Sequence, residues 1–439
     1  MQVLLLAAGQ SKRMWPVGDK NFLKFCGREL ILHQINNLQK AGFNEFILVG
    51  GKHNLKQLQE ITATLEMPII IVEQKKLDDG MRGAVLAGEK YLNKPTLIMS
   101  SNDVIAPSAF QKISDSITKN CKIENFILAQ KVTSYFPGGY LNVDKNNFVK
   151  NIIEKPGAGK EPSDLVNIVV HFFRNPQKLI DLLKKSQNQN DDAYEQALGK
   201  LAKNKQCILA VPYENFWQPI KYPWHILKVM DYFLQKNLGN ISSQANISNR
   251  AIIKGPVVIE KGAKIFEGAI INGPAYIGKN TIVANNALVR NSIVGENCVI
   301  GYSTEIARSF LSDNIWTHTN YIGDSVILDN TSFGAGTVTG NLRLDEGEIF
   351  SIIKKEKINT GLNKLGNIVG PNTRVGINAS LMPGVKIGGN TFIGGGIIVD
   401  QDIPDDSFVT SKSNFKIVPN KSKNLDPEKR ELMKKNFDK

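Results

Sequence analysis

ISNRAIIKGPVVIEKGAKIFEGAIINGPAYIGKNTIVANNALV, residues Ile247 to Val289, decides the fold of the C-terminal half. Ile247, Ile253, Ile259, Ile265, Ile271, Ile277, Val283 and Val289 fall on one phase of six without a miss. After a shift the phase continues at Val294, Ile300 and Ile306. A second run, Val369, Val375, Leu381, Ile387, Ile393 and Val399, has glycine following at Gly370, Gly376, Gly388 and Gly394. An α-helix repeats near 3.6 residues and a strand at 2, so neither explains a period of six. A triangular coil with one aliphatic side chain turned inward on each flat side does. The stretch predicts a parallel β-helix over residues 245–410. Interruptions at about Leu311 to Tyr321 and Leu342 to Gly366 are expected to be loops or irregular coils, where repeat proteins commonly place function.

Working outward, residues 1–237 alternate short apolar strands with helical stretches, the order of a largely parallel sheet covered by helices. Strands are expected at Val3 to Ala8, Glu45 to Val49, Ile69 to Val72, Thr96 to Ser100, Phe126 to Gln130 and Val166 to Phe173. A helix over Pro223 to Leu238, with proline in its first turn, leads into a polar link at Gly239 to Gln244, taken as the domain boundary. Residues 411–439 form a basic tail with a helix expected after Pro427.

Two domains are what 439 residues lead one to expect, and 42% hydrophobic with 22% charged residues is ordinary for a globular protein. The +13 net charge is partly a tail, since nine basic and four acidic residues follow from Lys412 onward. Small phosphorylated substrates are favoured over nucleic acid as the reason for the rest. The cysteines Cys26, Cys121, Cys207 and Cys298 have no CxxC spacing and no neighbouring histidines, so neither a disulfide framework nor a zinc site is expected. No run approaches a membrane span, and the apolar start reads as a buried strand. A cytoplasmic protein without nucleic-acid or membrane partners is the expectation.

LLAAGQSKRMWPVGDK, Leu5 to Lys20, releases a buried strand into a small-residue loop with Lys12, Arg13 and Lys20 around it. Such a loop lets backbone amides approach a triphosphate closely. It lacks the GK[ST] of a Walker loop and the GxGxxG of a dinucleotide fingerprint. It resembles the LAAGxGxRMxP…K signature of sugar-1-phosphate nucleotidyltransferases, and the resemblance extends over residues 1–237. It implies that Leu6, Ala8 and Gly9 hold the nucleotide, that Arg13 neutralises the departing pyrophosphate, and that Lys20 lies against the phosphates. Asp103, in MSSNDV after a strand, resembles the family's Mg²⁺-binding aspartate. Gln74 and Gly80 resemble the base-reading segment, although Met81 and Arg82 replace small residues there. Gly139 in PGGY, Glu154 and Lys155 in IIEKP, and Asn167 in NIVVHFF match the family's sugar and sugar-phosphate contacts. In one respect the chain departs: Pro219 stands where the family carries a second metal-binding aspartate.

WTHTNYIGDSVI, Trp316 to Ile327, and FGAGTVTGNLRLD, Phe333 to Asp345, resemble the GHLTYLGD and GAGTxxxNYDG strings of glucosamine-1-phosphate acetyltransferases, within the left-handed β-helix of hexapeptide-repeat acyltransferases. KINTGLNKLGNIVGPNTRVGINASLMPGVKIG, Lys357 to Gly388, is especially similar to the archaeal-type enzymes that unite that acetyltransferase with an N-acetylglucosamine-1-phosphate uridylyltransferase, and the resemblance covers nearly all the chain. The resemblance implies His318 as general base, Tyr321 and Asn341 as sugar-contacting and amine-orienting groups, and Arg290 as the phosphate clamp. Ala307 occupies the place of the family's phosphate-binding lysine, with Arg308 as a substitute. Ala379 implies a close approach of acetyl coenzyme A, and Lys364 a contact to the acceptor or to the coenzyme's phosphates. NTP and acetyl coenzyme A would be substrates, Mg²⁺ the cofactor, and a homotrimer through the β-helix the assembly. The alternatives are a nucleotidyltransferase for another sugar with a purely trimerising β-helix, and a non-catalytic nucleotide-sugar scaffold.

Overall fold

A computed structural model describes residues 1–186, 192–203, 208–411, 417–420, 428 and 431. The expected helix after Pro427, most of the basic tail and Cys207 lie outside the described residues. Cys26, Cys121 and Cys298 are free thiols, and no described helix is long and apolar enough to cross a membrane. Met1–Val409 form one compact unit.

The N-terminal half is built on a nine-stranded sheet with Gln2–Leu6 near its centre, parallel to Glu45–Gly50 on one side and Thr96–Ser100 on the other. Ile69–Glu73 continues the parallel part, and the long strand Leu165–Phe173 runs antiparallel beside Thr96–Ser100. Alternation sets the two faces. Val3, Leu5 and Ala7 pack with the helices Leu30–Lys40 and Pro107–Lys119. Leu4, Leu6 and Ala8 pack with Gly80–Ala87, Gln177–Lys185 and Ala193–Lys203. The expected strands are present to within a residue or two, joined by Gly139–Val143, Val149–Glu154 and Ile208–Tyr213, which sequence alternation did not separate from their loops. The helix after Pro223 runs His225–Lys236.

Beyond it the chain coils into a three-faced parallel β-helix. The expected polar link is itself the first rung, since Asn240–Ile241 pairs with Val257–Ile259, so the β-helix starts a few residues before position 245. The phase shift after Val289 has a plain cause: Ile265 pairs with Val283 but Val283 pairs with Ile300, so that coil is one residue shorter. The inward aliphatics stack into one continuous core from Val257 to Ile403. Corners need the left-handed backbone region that asparagine, aspartate and glycine tolerate best. They hold Asn280, Asn286, Asn297, Asn330, Asn372 and Asn390 at positive φ. Some of these stack as amide ladders, Asn330 to Asn372 at 2.8 Å and Asn372 to Asn390 at 3.0 Å.

The segment Leu311 to Tyr321 is not an interruption. Ile315 is fully buried, Trp316 bridges Val299 and Ser332, and Tyr321–Gly323 pairs in register with Glu305–Ala307, so the ladder passes through on a short coil. The segment from Leu342 to Gly366 does leave the β-helix, folding the antiparallel hairpin of Phe350–Ile353 and Glu356–Asn359.

One face of the prism is covered by the N-terminal half. Its outward residues Val258, Tyr276, Ile293, Phe310, Val326 and Ile368 bury against Met14, Phe25, Ile226, Met230 and Leu234. Phe25 meets Phe310 at 5.4 Å, and Lys24 pairs with Asp313 at 2.8 Å. Gly27, at φ +77, leaves room for the Tyr276 hydroxyl, which a Cβ there would meet at 2.3 Å. The hairpin adds Ile349, Ile353 and Leu365 against Trp224.

Candidate functional site

Two groups of residues assemble, one in each half. In the N-terminal half the parallel strands end at the loop from Ala7 to Asp19, fixed by a polar network that sequence reading missed. Asn21 and Asn54 both donate to the Ala7 carbonyl and to the Asp19 carboxylate, and Ser101 donates to Asn21 at 2.6 Å. Gly9 lies exposed with open space where a Cβ would be. Leu6 and Ala8 are buried, so what they can offer a nucleotide is backbone.

Lys20 donates to the Ile220 carbonyl at 2.8 Å. Burial lowers its pKa to about 8, opposed by the charge of Asp103. Asp103 is buried, and its pKa is raised to about 6 by burial, with Lys221 and Lys20 opposing. Arg13 is exposed and lies over the Tyr222 ring at 5.9 Å. At the sugar side Gly139 pairs with Glu154, and a Cβ on Gly139 would meet the Glu154 carboxylate at 2.9 Å and Asn167 at 3.8 Å. These three lie together. Asn167 is held by His171 at 2.8 Å. Gln74 folds back to donate to the Lys76 and Gly80 carbonyls, and it abuts Gly83. Arg82 turns away to the Leu183 carbonyl, and Met81 packs on the apolar face, so neither fills the space before Gln74.

The strand Trp217–Pro219 pairs antiparallel with Asp103–Ile105, with Pro219 directly opposite Asp103. The position of the second carboxylate is therefore held by a side chain that donates nothing. Two residues on, Lys221 faces the same space: burial lowers its pKa, and the charges acting on it are those of Asp103, Arg13, Glu154 and Lys155. Its ammonium lies 4.8 Å from the Phe136 ring. Lys221 is the site residue that motif matching overlooked, because the strings it used have no lysine there. No cluster of three metal-ligating side chains exists among the described residues. A single carboxylate on which the charges of two lysines act is not the donor set for a divalent cation held by the protein.

On the β-helix, Tyr321, Asn341, Asp324 and Arg308 form a second group. Asn341 donates to the Tyr321 hydroxyl at 3.1 Å and to Asp324. Arg308 grips Asp324 with both arms, at 2.7 and 2.6 Å. It thus carries a carboxylate partner beside the place where Ala307 replaces the lysine. Arg290 gives two N–H groups to one oxygen of Glu305, at 2.9 and 2.7 Å. Lys364 returns from the insertion beside this group: Leu365 donates to the Asn341 carbonyl at 3.0 Å, and Lys364 lines a hollow of about 460 Å³ with Arg308, Asp324 and Asp231. Ala379 is fully buried, with its N–H given to Thr337 and its carbonyl to Val338, so it offers a coenzyme only a close-packed surface.

His318 is exposed and lines a separate hollow of about 450 Å³ with Asn314, Trp316, Asn330, Ser332 and Arg374. Within one chain, no hydrogen bond or ring contact joins it to Tyr321, Asn341 or Arg290 among the described residues.

The nucleotidyl transferase family pattern matches residues 2–223, and the pattern described as the GMPPB C-terminal domain matches residues 237–333. Over 424 residues the chain is 34% identical to a protein of Methanococcus maripaludis strain C7 named bifunctional protein GlmU, covering 95% of this chain and 99% of that one. It is 33% identical over 417 residues to the bifunctional sugar-1-phosphate nucleotidylyltransferase/acetyltransferase of Sulfurisphaera tokodaii, with 92% and 98% covered. A bifunctional protein GlmU of Methanocaldococcus jannaschii is 29% identical over 420 residues, with 94% and 98% covered.

Proposed function

The chain belongs to the family of bifunctional sugar-1-phosphate nucleotidylyltransferase/acetyltransferases, and on that premise we propose that it makes UDP-N-acetylglucosamine in two steps. At the β-helix, the amine of glucosamine 1-phosphate attacks the thioester carbonyl of acetyl coenzyme A. The N–C bond forms, the C–S bond breaks, and His318 takes the amine proton and returns it to the leaving thiolate. Tyr321 and Asn341 orient the sugar, while Arg290 and Lys364 hold its phosphate. At the N-terminal sheet, an oxygen of the sugar phosphate attacks the α-phosphorus of UTP and pyrophosphate leaves, with charge balanced and no proton exchanged. Gly139, Glu154 and Asn167 hold the sugar, Lys155 its phosphate, Gln74 and Gly80 the base. Arg13 and Lys20 meet the charge spread over the phosphoryl group and leaving group. Mg²⁺ enters as a counter-ion of the nucleotide. The observation that carries this reading is the convergence of Gly139, Glu154 and Asn167 across from the Gly9 to Lys20 loop, in a chain that also holds the Tyr321, Asn341 and Asp324 network.

A homotrimer completes the second site. The two uncovered prism faces carry exposed apolar side chains, among them Trp316, Phe392 and Phe408 on one and Val338 and Ile398 on the other. Contiguous apolar surface of this kind marks a subunit interface, and packing the two faces of neighbouring copies together lets His318 of one approach the acceptor group of another. The substrates place the enzyme in the cytoplasm. Incubation with acetyl coenzyme A, glucosamine 1-phosphate and each of the four NTPs, reading thiol and pyrophosphate separately, tests the reading. Thiol release with glucosamine 1-phosphate, and pyrophosphate release greatest with UTP, are expected; no acetylation of any amino sugar phosphate would overturn it. Phe392→Glu combined with Ile398→Glu is expected to yield monomers by light scattering and to abolish thiol release.

A further inference from the structure

The disagreement at Pro219 has a partner in the same turn. Replacing a carboxylate by proline removes a negative charge opposite Asp103, and Lys221 adds a positive one beside it. The strand pairing fixes Pro219 to Asp103, the Pro219 carbonyl accepts the Lys221 N–H at 3.1 Å, and the intervening Ile220 carbonyl accepts Lys20. This short turn thus holds one ammonium, that of Lys20, on the Ile220 carbonyl and carries a second, that of Lys221, and the charge of the buried Asp103 acts on both. The Phe136 ring, itself packed on Trp217 at 4.9 Å, leans against the second ammonium and limits where it can go. Arg13, Glu154 and Lys155, the groups expected around the leaving group and the attacking phosphate, are those whose charge reaches Lys221.

We propose that Lys221 is a catalytic residue of the nucleotidyl transfer, its ammonium supplying the charge that a cation held by two protein carboxylates would otherwise supply. Lys221 bridges the α-phosphate and the incoming sugar phosphate, and Asp103 sets the position of both lysines. The O–Pα bond that forms and the Pα–O bond that breaks exchange no proton with Lys221, which acts as a fixed charge. This rests on the nucleotidyl transfer proposed above and adds a consequence: the protein itself has no tight divalent-cation site. Pro219→Asp alone then creates no such site, because Lys221 neutralises the new carboxylate; Pro219→Asp with Lys221→Gly creates one.

Two measurements on the full chain decide it. The first is Mn²⁺ titration without nucleotide, followed by electron paramagnetic resonance. The parent and Pro219→Asp are expected to bind no Mn²⁺ tightly, whereas the double variant gains one site. A parent that binds one Mn²⁺ as tightly as the double variant overturns the proposal, and this arm stands even if no NTP is turned over. The second is pyrophosphate release from UTP and N-acetylglucosamine 1-phosphate across a Mg²⁺ series. Lys221→Met should lose about 10²-fold at low Mg²⁺ and regain part of it as Mg²⁺ rises. An unchanged rate for Lys221→Met at every Mg²⁺ concentration overturns the proposal. A parent inactive with every NTP overturns the nucleotidyl transfer instead.

Discussion

Gly323→Ala offers a sharp test of the second site, because the structure gives both the size and the direction of the disturbance. Gly323 lies in the strand Tyr321–Gly323, at ordinary φ, so alanine brings no backbone strain. A Cβ there would sit 2.5 Å from the Tyr321 hydroxyl, 2.8 Å from its ring carbon and 2.9 Å from the Asn341 amide nitrogen. Contact is comfortable only beyond about 3.5 Å, so the hydroxyl has to move by about 1 Å. The atoms that yield are the outer end of a half-buried tyrosine and an amide, not backbone, so the loss of stability should stay near the lower end of the roughly 1–3 kcal/mol that overpacking a buried site costs. The same movement separates Tyr321 from Asn341, and a misplacement of about 1 Å costs on the order of 10²-fold in a positioned reaction. Thiol release should therefore fall about 10²-fold while pyrophosphate release from N-acetylglucosamine 1-phosphate stays where it was and the melting temperature falls only slightly. Thiol release within twofold of the parent would refute the assignment of Tyr321 and Asn341, and a joint fall of both activities with a lowered Tm would refute the argument that the clash is local.

Three further outcomes are expected. His318→Ala should cut thiol release by about 10² to 10⁴, the usual range for loss of a general base, and leave pyrophosphate release intact; acetylation within a few fold of the parent would assign the base elsewhere. Lys20 carries its charge below its lowered pKa of about 8 and loses it above, so kcat/KM for NTP should fall on the alkaline side through about pH 8, and Lys20→Arg should remove that limb; a flat profile to pH 9 in the parent contradicts the role given to Lys20. Phe310→Ala, at a side chain fully buried in the seam between the two halves, should cost about 3–5 kcal/mol in denaturant unfolding, and a loss under 1 kcal/mol would mean the seam is loose.

The period of six was legible because every coil must turn one aliphatic inward, and a missed inward residue would leave a hole. The outward row on the covered face was not read, although Val258, Tyr276, Ile293, Phe310 and Val326 recur at nearly every coil; its meaning depends on a partner far away in sequence. The shortened coil through Ile315 looked like a break because a coil can lose residues at its corners while its strands stay in register. In the N-terminal half, Gly139, Glu154 and Asn167 were picked out by their order along the chain, and the fold brings them side by side. Lys221 and the clamps of Asn21 and Asn54 were not, since a motif search asks only about positions its pattern contains. Arg308 and Arg290 illustrate another limit: sequence shows two cations in this neighbourhood, and only geometry shows that each has a carboxylate partner, Asp324 and Glu305.

The covered face of the prism also bears on how the protein can be taken apart. A cut at Gly239 would leave each fragment with a strip of unsheltered aromatic and aliphatic surface, Phe25 and Met230 on one, Tyr276 and Phe310 on the other. Neither fragment is a free-standing module in the sense that cloning by domain assumes. Each would aggregate or require the other in trans, and the intact chain should melt in a single transition from Met1 to Val409, whatever the number of reactions it hosts.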